Sequence, residues 1–149
     1  MRFLRLAPVL ILTMLASGCD ERSTFFDQNS KIKLIEISGM VDNAEGSPTI
    51  LRVGLSLDGR EIRSIPLAEA SSHIAISAST AGDRGHHTLV IVIADQTSSP
   101  VNYRVSGLQV AYVDAFLFGG SGSTLARTVL PDRAELVSSG QGISYSFDL

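Results

Sequence analysis

Few groups in this chain could do chemistry: one cysteine, Cys19, three histidines, His73, His86 and His87, and serines and aspartates scattered between them. A thiol can act as nucleophile, disulfide partner or acyl acceptor, but a lone cysteine has no partner for an intramolecular disulfide. Adjacent His86 and His87 would point to opposite faces of a strand, so they cannot chelate one ion together. A zinc site needs three or four ligands, so His73 and an aspartate such as Asp83 or Asp95 would have to join one of them. A simpler role suits them: His87 opens a buried strand and hydrogen-bonds to a neighbouring turn, and His86 faces solvent. Acyl-transfer chemistry lacks its usual frame as well. The nearest string to a nucleophile elbow, Gly119-Gly120-Ser121-Gly122-Ser123, lacks the closing glycine and lacks the Gly-Lys-Ser/Thr ending of a phosphate loop. It reads as a flexible loop. The paired acids Asp20-Glu21 sit in polar sequence, where nothing would perturb their titration. The expectation is a protein that is not an enzyme, with no metal and no cofactor.

Cys19 has a more specific setting. Arg2 and Arg5 precede an apolar run, Leu6 to Ala16, of 11 residues, broken only by Pro8 and Thr13. That layout is a signal peptide's, and it is too short to span a bilayer, which takes about 20 residues. Ala16-Ser17-Gly18 would also suit ordinary signal cleavage, releasing a soluble protein that begins with Cys19. The run Leu15-Ala16-Ser17-Gly18-Cys19 resembles the lipobox of bacterial lipoprotein precursors. The resemblance implies cleavage after residue 18 and a diacyl or triacyl Cys19, carrying fatty chains such as palmitate. Each buried methylene contributes about 0.8 kcal/mol, and more than one chain is needed for durable anchoring. Asp20 and Glu21 directly after Cys19 resemble the membrane-sorting signal that retains lipoproteins at the inner membrane, facing the periplasm. Residues 1–18 are thus expected as signal peptide, 19–30 as lipidated cysteine and tether, and 31–149 as one domain.

Removal of residues 1–18 would leave 131 residues with 10 basic and 15 acidic side chains, a balance of 10 − 15 = −5. With no run of Lys or Arg, such a chain is not expected to bind nucleic acid or anionic lipid electrostatically. Membrane attachment would come from the lipid on Cys19 alone. With no disulfide available, the fold must stand on its core.

The elements that must position these groups follow a period of 2. Leu51, Val53, Leu55 and Leu57 alternate with Arg52, Gly54 and Ser56, and Asp58-Gly59 marks a tight hairpin turn. Arg60 to Ile65 should return antiparallel. Further strands are predicted at 32–41, 73–78, 87–94, 101–105, 108–118, 125–129 and 143–149. Leu89 to Ala94 is apolar on both faces, as a central strand covered on each side would be. Pro66, Pro100 and Pro131 fall between runs, and Ala68-Glu69-Ala70 reads as a single helical turn. Short strands with turns between them predict an all-β, antiparallel β-sandwich.

Two further stretches, Val53-Gly54-Leu55-Ser56-Leu57-Asp58-Gly59 and Gly85-His86-His87-Thr88-Leu89-Val90-Ile91-Val92-Ile93-Ala94-Asp95, resemble bacterial immunoglobulin-like domains of cell-surface proteins. The likeness spans residues 31–113 and implies an immunoglobulin-like sandwich, not a function. Gln96-Thr97-Ser98-Ser99 replaces the Gly-Asn common after the terminal Asp. Residues 114–149 add about three strands, an elaboration that leaves a jelly-roll variant open. Tyr103, Tyr112, Tyr145, Phe116, Phe118 and Phe147 fall mostly in strand phase and are expected in the core, although Phe116-Leu117-Phe118 could form an exposed patch. The resulting expectation is a cell-envelope lipoprotein acting as a binding or structural module with a protein or glycan partner. A carbohydrate-binding module is the alternative, followed by a periplasmic enzyme or metal carrier.

Overall fold

The computed structural model describes residues 31–116 and 122–149. Cys19, Asp20, Glu21, the tether and most of the Gly119–Ser123 loop lie outside them. Among the described residues no helix is long and apolar enough to cross a membrane. The described residues form nine strands: β1 (Lys31–Asn43), β2 (Ile50–Leu57), β3 (Arg60–Ser71), β4 (His73–Ala81), β5 (His86–Asp95), β6 (Val101–Phe116), β7 (Ser123–Val129), β8 (Arg133–Val137) and β9 (Gly142–Asp148). One sheet has the order β4-β1-β6-β7, with β8 beside the other half of β6, and the second has the order β3-β2-β5-β9. All pairings are antiparallel. The protein is an all-β sandwich.

The lane order explains the shape. A four-lane antiparallel ribbon is folded once across its middle, so that β4 continues β3, β1 leads to β2, β6 follows β5, and β7 and β8 lead to β9. All four bends fall at one end, the corner end. The Asp58-Gly59 turn, the 82–85 connection, Lys31 and Leu149 lie at the other, open end. Residues 114–149 supply most of the strands β7, β8 and β9 that widen both sheets.

The core follows the alternation. Leu89, Ile91 and Ile93 on β5 are fully buried, as are Ile35 on β1, Val53 and Leu55 on β2, and Ile143 on β9. Tyr103, Tyr112, Tyr145 and Phe147 also point into the core, the role expected of them. Asp58 and Gly59 take φ of 52° and 80°, the two positive values a primed two-residue turn demands.

Five expectations need correction. Pro66 does not end a run, and Ala68-Glu69-Ala70 is not helical: β3 passes through all four. It is an edge strand, where a missing N–H removes no ladder bond. The segments 101–105 and 108–118 are one strand, because β1 pairs with both halves and the register shift between Ser38 and Met40 absorbs the change of phase near Gly107. Leu51 points outward, since a second register shift between Ile50 and Arg52 puts Ile50 in the core instead. Finally, no second layer of described residues covers the outer face of β5. Val90 and Val92 lie half-buried over Gly142, where a Cβ would come within 2.6 Å of Val90 Cγ1.

Candidate functional site

Polar groups converge in three places. At the open end, His87 starts β5 on its inward phase, and the Asp58 turn brings a carboxylate to it. His87 Nδ1 lies 2.8 Å from Asp58 Oδ2, and Nε2 lies 3.0 Å from the Asp83 carbonyl oxygen. The Thr88 N–H donates to the other carboxylate oxygen at 2.8 Å. The His87 bond and then the Thr88 N–H hold the Asp58 carboxyl below its ordinary value of 3.8. Beside them opens a groove of 390 Å³ between the sheets, with Ile35, Leu57 and Ile62 as its apolar floor and Arg60 and Thr80 on its rim. Through contacts on both ring nitrogens, His87 ties the Asp58 turn, the 82–85 connection and β5 together.

The other histidines are elsewhere. His86 faces outward with Nδ1 3.0 Å from Asp148 Oδ1, and both side chains are well exposed. His73 opens β4 at the corner end, 3.4 Å from Ser72 Oγ. The fold brings no two histidines to one point, and among the described residues no three His, Cys, Asp or Glu side chains are grouped to hold a metal ion. Asp83 contributes its backbone carbonyl, and Asp95 belongs to the second cluster. Phe116 is half-buried under the Lys31 ammonium, 5.4 Å from its ring centre. Leu117 and Phe118 lie outside the described residues.

The second cluster is at the corner end and was missed in the sequence. The Asn43 amide donates to Thr49 Oγ1 at 3.0 Å, Thr49 lies 2.9 Å from the Tyr103 hydroxyl, and Tyr103 donates to Asp95 Oδ2 at 2.8 Å. The carboxylate at the end can only accept, which fixes the direction of every proton along the chain. These four residues belong to β1, the bend before β2, β6 and β5, so the network links both sheets where the ribbon folds. Burial, offset by the Thr49 bond and reinforced by Asp95, pushes the Tyr103 hydroxyl up to about 12. The signal in the sequence was Asp95 closing an apolar strand eight residues before a tyrosine in inward phase.

The third is a shallow hollow of 280 Å³ on the outer face of the β4-β1-β6-β7 sheet. Cross-strand register sets Ser79, Glu36, Ala111 and Arg127 in one row, and Ser77, Ser38 and Gln109 in the next. Alternate serines on β4 were the available signal. No ring of Tyr103, Tyr112, Tyr145 or Phe147 faces it, since all are core residues. No known family model, curated protein or solved structure matches the chain.

Proposed function

We propose that this protein is a non-catalytic binding module of the bacterial cell envelope, held at the membrane by fatty acyl chains on Cys19 and kept at the inner membrane, facing the periplasm, by Asp20 and Glu21. The reading is carried by one observation: the only cysteine stands directly after small residues at the end of a short apolar run headed by Arg2 and Arg5. The sandwich begins at Lys31, so an 11-residue tether, Asp20 to Ser30, separates it from the lipid and reaches at most about 40 Å. Partners therefore lie close to that membrane. Between protein and glycan partners, the hydroxyl-lined hollow favours a glycan.

Replacement Cys19→Ser tests the anchor. The expected result is an unprocessed precursor, or release into the soluble fraction. Unchanged membrane fractionation with a normal mature mass would sink the proposal. Separation of the two membranes on a sucrose gradient tests the sorting role: recovery of the protein in the outer-membrane fraction would overturn the part assigned to Asp20 and Glu21 and leave the anchor standing.

A further inference from the structure

The outer-face hollow is built in a way that a solvated sheet surface does not require. Glu36 and Arg127 share a row but stand two strands apart, about 10 Å at ordinary strand spacing, with only Ala111 between them. Neither has an ion-pair partner among the described residues. Had the fold placed them on adjacent strands, they would neutralise each other. Instead a carboxylate and a guanidinium face each other across a floor of one methyl group. The strand spacing of about 10 Å leaves room for one sugar ring over Ala111. In the next row Ser77, Ser38 and Gln109 offer hydroxyls that donate and accept and an amide that does both, a set matched to ring hydroxyls and N-acetyl groups.

We propose that this hollow binds a carboxylate-bearing amino sugar of an envelope glycan, one ring seated over Ala111 between Glu36 and Arg127. The planar fork of Arg127 takes the ligand carboxylate in two parallel hydrogen bonds. Glu36 accepts from a ring hydroxyl or amide N–H on the opposite side, and Ser38 and Gln109 meet the substituent of the neighbouring carbon. With no aromatic platform, one ring binds weakly. A glycan polymer presented to many anchored copies makes up the affinity through multivalency. The proposal rests on reading the protein as an envelope binding module, and it names the partner of that module.

The test uses the ¹⁵N-labelled full chain in detergent micelles, followed by NMR during titration with N-acetylmuramic acid and, separately, with N-acetylglucosamine, the same ring without the lactyl carboxylate. Resonances of Ser38, Gln109, Ala111 and Arg127 should shift, with half-saturation at a concentration at least tenfold lower for the acidic sugar. Ala111→Leu, at an outward strand position, fills the gap and should abolish the shifts while the thermal midpoint is kept. Arg127→Ala, on an exposed face, should erase the preference between the two sugars. No shift up to 50 mM, equal shifts with sodium lactate, or full binding by Ala111→Leu would overturn the proposal. Failure here leaves the anchor untouched, because Cys19→Ser fractionation reads that separately.

Discussion

The same substitution, tyrosine to phenylalanine, should have opposite effects at two buried sites of this core. Tyr103 and Tyr145 are both within 2% of full burial, and both hydroxyls are pushed up to about 12, chiefly by burial. Their hydrogen bonding differs. Tyr103 accepts from Thr49 and donates to the Asp95 carboxylate, whereas the Tyr145 hydroxyl has no partner among the described residues. Tyr103→Phe removes one neutral bond, worth about 1 kcal/mol, and one bond to a charged group, worth about 1.5–3 kcal/mol. It also strands the buried Thr49 hydroxyl. The loss should be about 2–4 kcal/mol. Tyr145→Phe removes a buried group that has already lost its water and gained nothing, and the Arg133 guanidinium 4.8 Å over the ring keeps its face. Stability should rise by about 1 kcal/mol. Urea unfolding followed by far-UV circular dichroism at pH 7 gives both values, with slopes unchanged if the denatured states are alike. A loss below 0.5 kcal/mol for Tyr103→Phe refutes the corner network, and a loss above 1 kcal/mol for Tyr145→Phe refutes the placement of its hydroxyl without a partner.

The other predictions concern the core and the response to pH. Ile91→Ala, at a fully buried site, should cost about 2–5 kcal/mol in the same urea assay, and a cost under 1 kcal/mol would contradict the central placement of β5. Because the folded hydroxyls of Tyr103 and Tyr145 ionise near 12 and not at their ordinary 10, the folded state holds these protons more tightly. Their contribution is complete below pH 10 and is lost as pH rises from 10 to 12. Urea midpoints measured across that range should fall, and fall less steeply in Tyr145→Phe. Asp58 has the opposite sign. Its carboxyl is held below 3.8 by His87, so its contribution is present above that value and lost as pH falls through the lower folded one. Acid titration by circular dichroism should show Asp58→Asn losing less stability than the parent chain over that interval.

Much of the fold was legible because strand alternation is a local signal. Ile143, Tyr145 and Phe147 alternate with Ser144 and Ser146, and the structure buries the first three. Asp58-Gly59 announced its own turn, and His87 could be placed against a turn because it opens a buried strand. What failed was phase. Bulges near Gly39 and at Leu51 shift the inward set by one residue, so a continuous β6 looked like two strands and Leu51 looked like core. Bulges depend on partner strands that no local window contains. Pro66 misled for a related reason: only edge position makes it compatible with a strand, and edge position is a property of the topology. The strand β8 alternates Ala134 and Leu136 with Arg133 and Glu135, yet all four are exposed and only Val137 is buried, so its alternation does not mark a core face. It pairs with the half of β6 that β7 leaves free. Alternate serines on β4 were the only hint of the hollow over Ala111, as its rows unite residues 36, 79, 111 and 127 only through pairing.

The central claim is that the domain is carried on an acylated Cys19. Intact-mass measurement of the protein purified from its host's membranes tests it most directly. The account predicts a chain beginning at Cys19 and heavier than residues 19–149 by a diacylglyceryl group, with or without a third acyl chain. A mass equal to the unmodified 19–149 chain, or to the uncleaved 149-residue precursor, would contradict it.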